Sequence, residues 1–118
     1  MEEVIQIETA FLAEEKGIKL ELYKSEWFYF DEHGDKFVST VKPKRDDAKQ
    51  VVICKQSELQ KYLREEHNII VVADYDVNKR KYFHWLIIHG ETREQSSFYD
   101  RWEQALELGL VRGLKQIK

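Results

Sequence analysis

The side chains of this chain that are able to ligate a metal or attack an electrophile fall into a few small groups. Asp74 and Asp76 stand two apart, and His84 and His89 sit in the next apolar run. Carboxylate and imidazole together suit zinc or a similar cation. The two histidines are five residues apart, however, so on one strand they point to opposite faces and the cluster breaks. Cys54 is the single cysteine, and the nearest downstream base is His67. No G-x-S-x-G elbow and no family-specific cysteine signature surrounds it, and at the end of Val51-Val52-Ile53 it reads as a small buried hydrophobe. The five glycines form neither a Walker-type loop nor a dinucleotide fingerprint. We assign no catalytic, cofactor-binding or metal-ligating residue. An enzyme built around His84 or Asp74 would require a polar cleft at one face of the hairpin that carries them.

Two basic patches stand beside this inventory. Lys42-Pro43-Lys44-Arg45 is blunted by the Asp46-Asp47 that follows it. Lys79, Arg80 and Lys81 form a hairpin tip next to Tyr82, and cations beside aromatic rings hold phosphates and stack bases. Against this, the formal net charge of −3 disfavours generic nucleic-acid binding, which draws its affinity from Lys and Arg neutralising phosphates. Charged loops and tips are more often simply solvated.

The elements that position these groups follow from periodicity. Trp102, Ala105, Leu106, Gly109, Leu110, Gly113, Leu114 and Ile117 fall at helical spacing and predict an amphipathic C-terminal helix. Asp100 and Glu103 supply its N-terminal cap and favourable acidic charge. Gly109 and Gly113 share the apolar face, where missing side chains let another backbone approach; the domain's own sheet is the usual partner, a second subunit the alternative. A first helix is predicted over residues 5–16, with Val4, Ile7, Ala10 and Phe11 inward and Gly17 as its left-handed cap. Ser57-Glu58-Leu59-Gln60 reads as a capping box opening a helix to about residue 66, closed by Asn68, with Leu59, Tyr62 and Leu63 buried.

Strands are predicted at 26–30 and 37–41 around a turn at 31–35. Residues 42–49 read as an exposed loop, and 51–54 as either a short strand or the buried entry to the next helix. Residues 69–75 alternate, with Ile69, Val71, Ala73 and Tyr75 on one face. The chain turns at 76–80 and returns over 81–89 with Tyr82, His84, Leu86 and Ile88 on one side and Phe83, Trp85, Ile87 and His89 on the other. Apolar residues on both faces place this hairpin centrally in the sheet, covered on at least part of each face. Residues 90–97 read as a polar connection. The order is helix-hairpin-helix-hairpin-helix, an α+β fold with a mostly antiparallel sheet and helices packed on it, in a single domain over 1–118.

A chain of 118 residues is long enough to bury a core without staples. Its 35% charged and 42% hydrophobic composition excludes both a disordered tail and a membrane protein, and no apolar run approaches the roughly 20 residues of a membrane helix. An acidic start without a secretory pattern and a lone cysteine point to a cytoplasmic protein.

Three blocks carry a family resemblance: Glu8-Thr9-Ala10 leading to Lys16-Gly17-Ile18, then residues 60–69, then Trp102-Glu103-Gln104-Ala105-Leu106-Glu107-Leu108-Gly109-Leu110 with Leu114-Lys115-Gln116-Ile117. They resemble small proteins encoded by prophages and mobile elements of Bacteroidetes. The resemblance implies a bacterial, cytoplasmic accessory role and transfers no site residue. The expected function is that of a non-enzymatic accessory protein binding another protein, as monomer or homodimer. The alternative is a nucleic-acid-binding factor using Lys79, Arg80 and Lys81.

Overall fold

The computed structural model describes residues 4–18, 27–30, 36–39, 50–51 and 54–117. The elements run α1 (Ile7–Glu15), β1 (Trp27–Phe30), β2 (Lys36–Ser39), β3 (Gln50–Val51), α2 (Gln56–His67), β4 (Ile69–Asp76), β5 (Lys81–Ile88), β6 (Glu91–Gln95) and α3 (Trp102–Leu114). The fold is α+β, with two three-stranded antiparallel sheets of order β2-β1-β3 and β4-β5-β6.

Local chemistry sets the ends of these elements. Gly17 sits at φ +81°, where its amide reaches Glu14 O and the amide of Ile18 reaches Ala13 O, both at 3.0 Å. This is a Schellman closure, and it tucks Ile18 into the core. Asn68, left-handed at φ 53°, ends α2 and feeds directly into β4. At the β4–β5 turn the Asp76 carboxylate accepts from the amides of Asn78 at 2.9 Å and Lys79 at 3.0 Å, which ties the tip internally.

β4 and β5 pair in register from Ile69↔Ile88 to Asp76↔Lys81. Ile69, Val71, Ala73 and Leu86 lie in the core with Leu59 and Leu63 of α2 and Ala105, Leu106, Leu110 and Leu114 of α3. The alternation of β4 is thus resolved into one face under the helices and one face away from them. α3 comes closest at its glycines: a Cβ on Gly113 would lie 3.2 Å from both Leu63 Cδ1 and Val71 Cγ2.

The sequence expectation departs from this arrangement in several places. Among the described residues the hairpin is not central: β5 is the middle strand and β4 an edge. Residues 91–95 form β6 rather than a plain connection, because His89 (φ 51°) and Gly90 (φ 82°) both take left-handed angles and make a two-residue hairpin turn. α2 begins one residue before the proposed Ser57 cap: Lys55 is the N-cap, and its amide donates to Glu58 Oε1 at 3.2 Å. Arg101, not Asp100, caps α3. Phe11 and Trp102, predicted inward, are 39% and 44% exposed, and Tyr62 is only half-buried. Of the two readings left open for 51–54, Val51 belongs to β3, and Cys54 follows as a buried residue whose carbonyl accepts from Ile5 at 2.9 Å. The turn at 31–35, the loop at 42–49 and the side chain of Ile7 lie outside the described residues. Among the described residues no helix is long and apolar enough to cross a membrane.

Candidate functional site

His84 stands on the covered face of β5, only 2% exposed. Its Nδ1 is 3.1 Å from the carbonyl oxygen of Ala105 in α3, and a carbonyl accepts only, so Nδ1 carries the hydrogen. Nε2 faces Glu94 Oε1 of β6 at 3.5 Å. Glu94 in turn takes a two-pronged bond from Arg112 of α3, Nε at 3.1 Å and Nη2 at 2.9 Å. That guanidinium holds the Glu94 carboxyl below the usual carboxylate range; partial burial opposes the shift and His84 reinforces it. The His84 backbone is pinned as well, its amide donating to Ser96 Oγ at 2.8 Å. Every polar atom of this ring therefore faces protein, which makes the group a strut between β5, β6 and α3 and gives a substrate no approach.

Glu107 is the second buried polar centre, 4% exposed on α3. It accepts from the Gln6 amide at 2.9 Å, from the Thr9 hydroxyl, and from Gln56 Nε2 at 3.0 Å. Gln6 is the N-cap of α1, so the carboxylate neutralises the positive end of that helix from another element. Gln56 also donates to the carbonyl of Glu103 at 2.9 Å, linking α2 to α3. Three helices converge on one carboxylate whose donors are all supplied by the protein. No sequence signal singles it out, since a lone Glu between leucines carries no spacing pattern.

The other candidate residues do not assemble. Asp74 accepts from its neighbour's amide at 2.8 Å and from Trp85 Nε1 at 3.4 Å, Asp76 closes the hairpin turn, and His89 is an exposed turn residue. Among the described residues, no three His, Cys, Asp or Glu side chains come close enough to hold a metal ion. Cys54 is buried, as a small hydrophobe would be. At the basic tip, Lys81 pairs with Asp100 at 2.5 Å and Lys79 lies over the Phe98 ring at 4.7 Å from its centroid. Arg80 is exposed at φ 55°. With Asp76 and Asp100 interleaved, the tip presents little uncompensated positive charge.

What remains is a surface. On the face of the β4-β5-β6 sheet turned away from α2 and α3, Ile70 opposes Ile87 and Val72 opposes Trp85. Val72 is 39% exposed, and Ile70, Trp85 and Ile87 are half-buried. Phe83, Trp85 and Phe98 stand edge to face at one end, with ring centroids 5.4 and 5.7 Å apart. The edges of the sheet are partly blunted against strand addition. Gln60 Nε2 occupies the Val71 carbonyl at 2.6 Å and the Asp74 side chain occupies the Tyr75 amide, while β6 carries exposed charges and a register shift opposite Leu86 and Ile87. Compared with known proteins, the chain matches no family model, no curated protein and no solved structure.

Proposed function

We propose that the chain is a non-enzymatic accessory protein of phage or mobile-element origin that acts in the bacterial cytoplasm by binding another protein. The observation that carries this reading is the apolar sheet face at Ile70, Val72, Trp85 and Ile87, which no helix among the described residues covers. An antiparallel sheet with one face on a core normally presents polar residues on the other, and apolar side chains in their place, with Val72 39% exposed, are what a protein partner would use. The polar centres support the same reading, since His84 and Glu107 direct their acceptors and donors at the fold itself. The nucleic-acid alternative rests on Lys79, Arg80 and Lys81, of which Lys79 and Lys81 are engaged by Phe98 and Asp100.

The test is quantitative affinity capture from host cells with the wild-type chain and Val72→Lys side by side. A protein retained by the first and lost by the second is the expected result. If the two recover the same proteins, or only nucleic acid, the reading is wrong.

A further inference from the structure

We infer that a row of aromatic side chains at the hairpin end of the β4-β5-β6 sheet takes a proline-rich segment in the polyproline II conformation. The row lies on the helix side of the sheet and shares no residue with the apolar face discussed above. Tyr75 of β4 pairs with Tyr82 of β5, and Tyr82 exchanges backbone hydrogen bonds with Tyr99, its amide donating at 2.8 Å and its carbonyl accepting at 2.7 Å. Directly opposite residues share a face, so the three tyrosines stand side by side across the strands. Tyr75 leans on Tyr82 with ring centroids 4.9 Å apart and planes at 56°, and Trp102 of α3 meets Tyr82 at 6.4 Å and 89°. Tyr75 and Trp102 are each 44% exposed. Tyr82 and Tyr99 rest partly on the core. Among the described residues neither of their hydroxyls has a hydrogen-bond partner and no buried side-chain nitrogen or oxygen goes without one, so both hydroxyls reach solvent.

Spacing and hydrogen bonding choose the occupant. From Tyr75 to Tyr99 the row crosses two strand spacings, about 9.6 Å. A polyproline II helix returns to the same face every three residues, about 9.3 Å, so prolines three apart meet the two ends of the row. Its carbonyls have no internal partner and accept from the tyrosine hydroxyls between them. A β-strand repeats on one face at about 6.8 Å, and laid across the strands it would find no edge to pair with. An α-helix repeats at about 5.4 Å per turn and spends its carbonyls internally, which leaves the hydroxyls unanswered. Aromatic rings with polar tips are the surface on which preformed proline-rich segments dock. Electrostatics disfavour a nucleic acid on the same rings, because Lys81 beside the row is held by Asp100 and a phosphate would face that carboxylate. A contact of this size belongs to the weak, transient class and does not need the area of a lasting dimer.

The test titrates the full chain with decaproline, with a glycine-serine peptide of equal length and with an oligothymidylate, followed by amide chemical shifts. Decaproline is expected to bind saturably, with Kd on the order of 100 µM to 1 mM and shifts centred on Tyr75, Tyr82, Tyr99 and Trp102, and the glycine-serine peptide at least about tenfold more weakly. Tyr75→Ala and Trp102→Ala, both at exposed positions, should each weaken decaproline binding about tenfold. The double variant Tyr82→Phe with Tyr99→Phe keeps both rings in the core and should weaken it about threefold or more through the lost hydroxyls. No saturable binding, equal affinity for the glycine-serine peptide, tighter binding of oligothymidylate, or full affinity in Trp102→Ala or in the double variant overturns the inference. The inference shares with the protein-binding reading only the class of partner. Val72→Lys, which tests that reading, should leave decaproline binding unchanged, so each can fail without the other; an equal loss in Val72→Lys would place the peptide on the opposite face and overturn the inference.

Discussion

Gly109 of α3 is seated on Val71 of β4 so closely that a Cβ at the glycine would stand 2.5 Å from Val71 Cγ1, with His84 Cγ at 3.0 Å. Neither neighbour has room to retreat, because Val71 and His84 are themselves buried. Gly109→Ala should therefore destabilise by about 1–3 kcal/mol through overpacking, even after the gain of about 1 kcal/mol in helix propensity. At Gly113 the added methyl would meet only side-chain carbons at 3.2–3.3 Å, and the two effects should nearly cancel. Urea unfolding of the two variants decides it, and a Gly113→Ala loss equal to or larger than that of Gly109→Ala would contradict the packing described.

The convergence on Glu107 makes a second prediction. Glu107→Ala strands the Thr9 hydroxyl and one Gln56 donor in a buried site and the Gln6 amide in a partly buried one, each a lost charge-assisted bond. A loss of at least about 3 kcal/mol is expected. Thr9→Val removes one donor and fills its volume, so it should cost about 1–2 kcal/mol. Hydrogen exchange should show α1 opening first in both, because the carboxylate caps that helix from outside it. Uniform loss of protection across α2, β4 and α1 alike would argue that the contact has no local role.

How much of this was readable in the residues depends on whether the information is local. The stripe of α3 and the alternation of β4 were legible because small and branched apolar residues recur at the period of the face they bury. Periodicity names a face and not where its cover ends, so Trp102 lies on the buried side of α3 and is still exposed, whereas the predicted inward face of α1 was wrong: Thr9, Ala10 and Ala13 are buried and Phe11 points away from them. β6 was illegible because Glu91-Thr92-Arg93-Glu94-Gln95 has no apolar alternation; it is a strand because the left-handed His89-Gly90 turn returns the chain onto β5 and Arg112 draws Glu94 toward α3. The buried centres at Glu107 and His84 join residues about 100 and 20 positions apart. Such partners meet only through tertiary packing. The apolar character of both hairpin faces was visible and predicted cover on part of each; on the face away from α2 and α3, Phe83 is buried, Ile70, Trp85 and Ile87 are half-buried and Val72 is 39% exposed.

The Glu94–Arg112 pair sets a pH dependence whose sign is fixed. The Glu94 carboxyl is held below its ordinary value of 4.5 in the folded state, so the folded protein binds that proton less readily than the unfolded chain. Its contribution is complete above pH 4.5 and is lost as pH falls through the lower folded value. Unfolding free energies followed downward from pH 5.5 should fall more steeply in the wild type than in Glu94→Gln, which has no proton to take up there. Parallel curves for the two proteins would show that the pair does not couple to folding.

The basic tip gives the last prediction, and it bears on the competing function. A protein that neutralises Z phosphates on a single strand shows a log–log salt slope of about −0.7Z. Lys81 is held by Asp100 and Lys79 lies over Phe98, so Arg80 is the one tip cation with no contact to another described side chain. Any affinity for an oligothymidylate should accordingly be weak, with a slope no steeper than about −0.7, and changing Lys79, Arg80 and Lys81 together to Ala should alter it by no more than that. The comparison also separates charge from shape: Asp100→Asn releases Lys81 without touching the sheet and should raise the slope by about one further contact if the tip meets phosphate at all. A wild-type slope of about −2 or steeper that collapses in the triple variant would mean that the tip cations exchange their internal partners for phosphates. The nucleic-acid reading would then displace the protein-binding one.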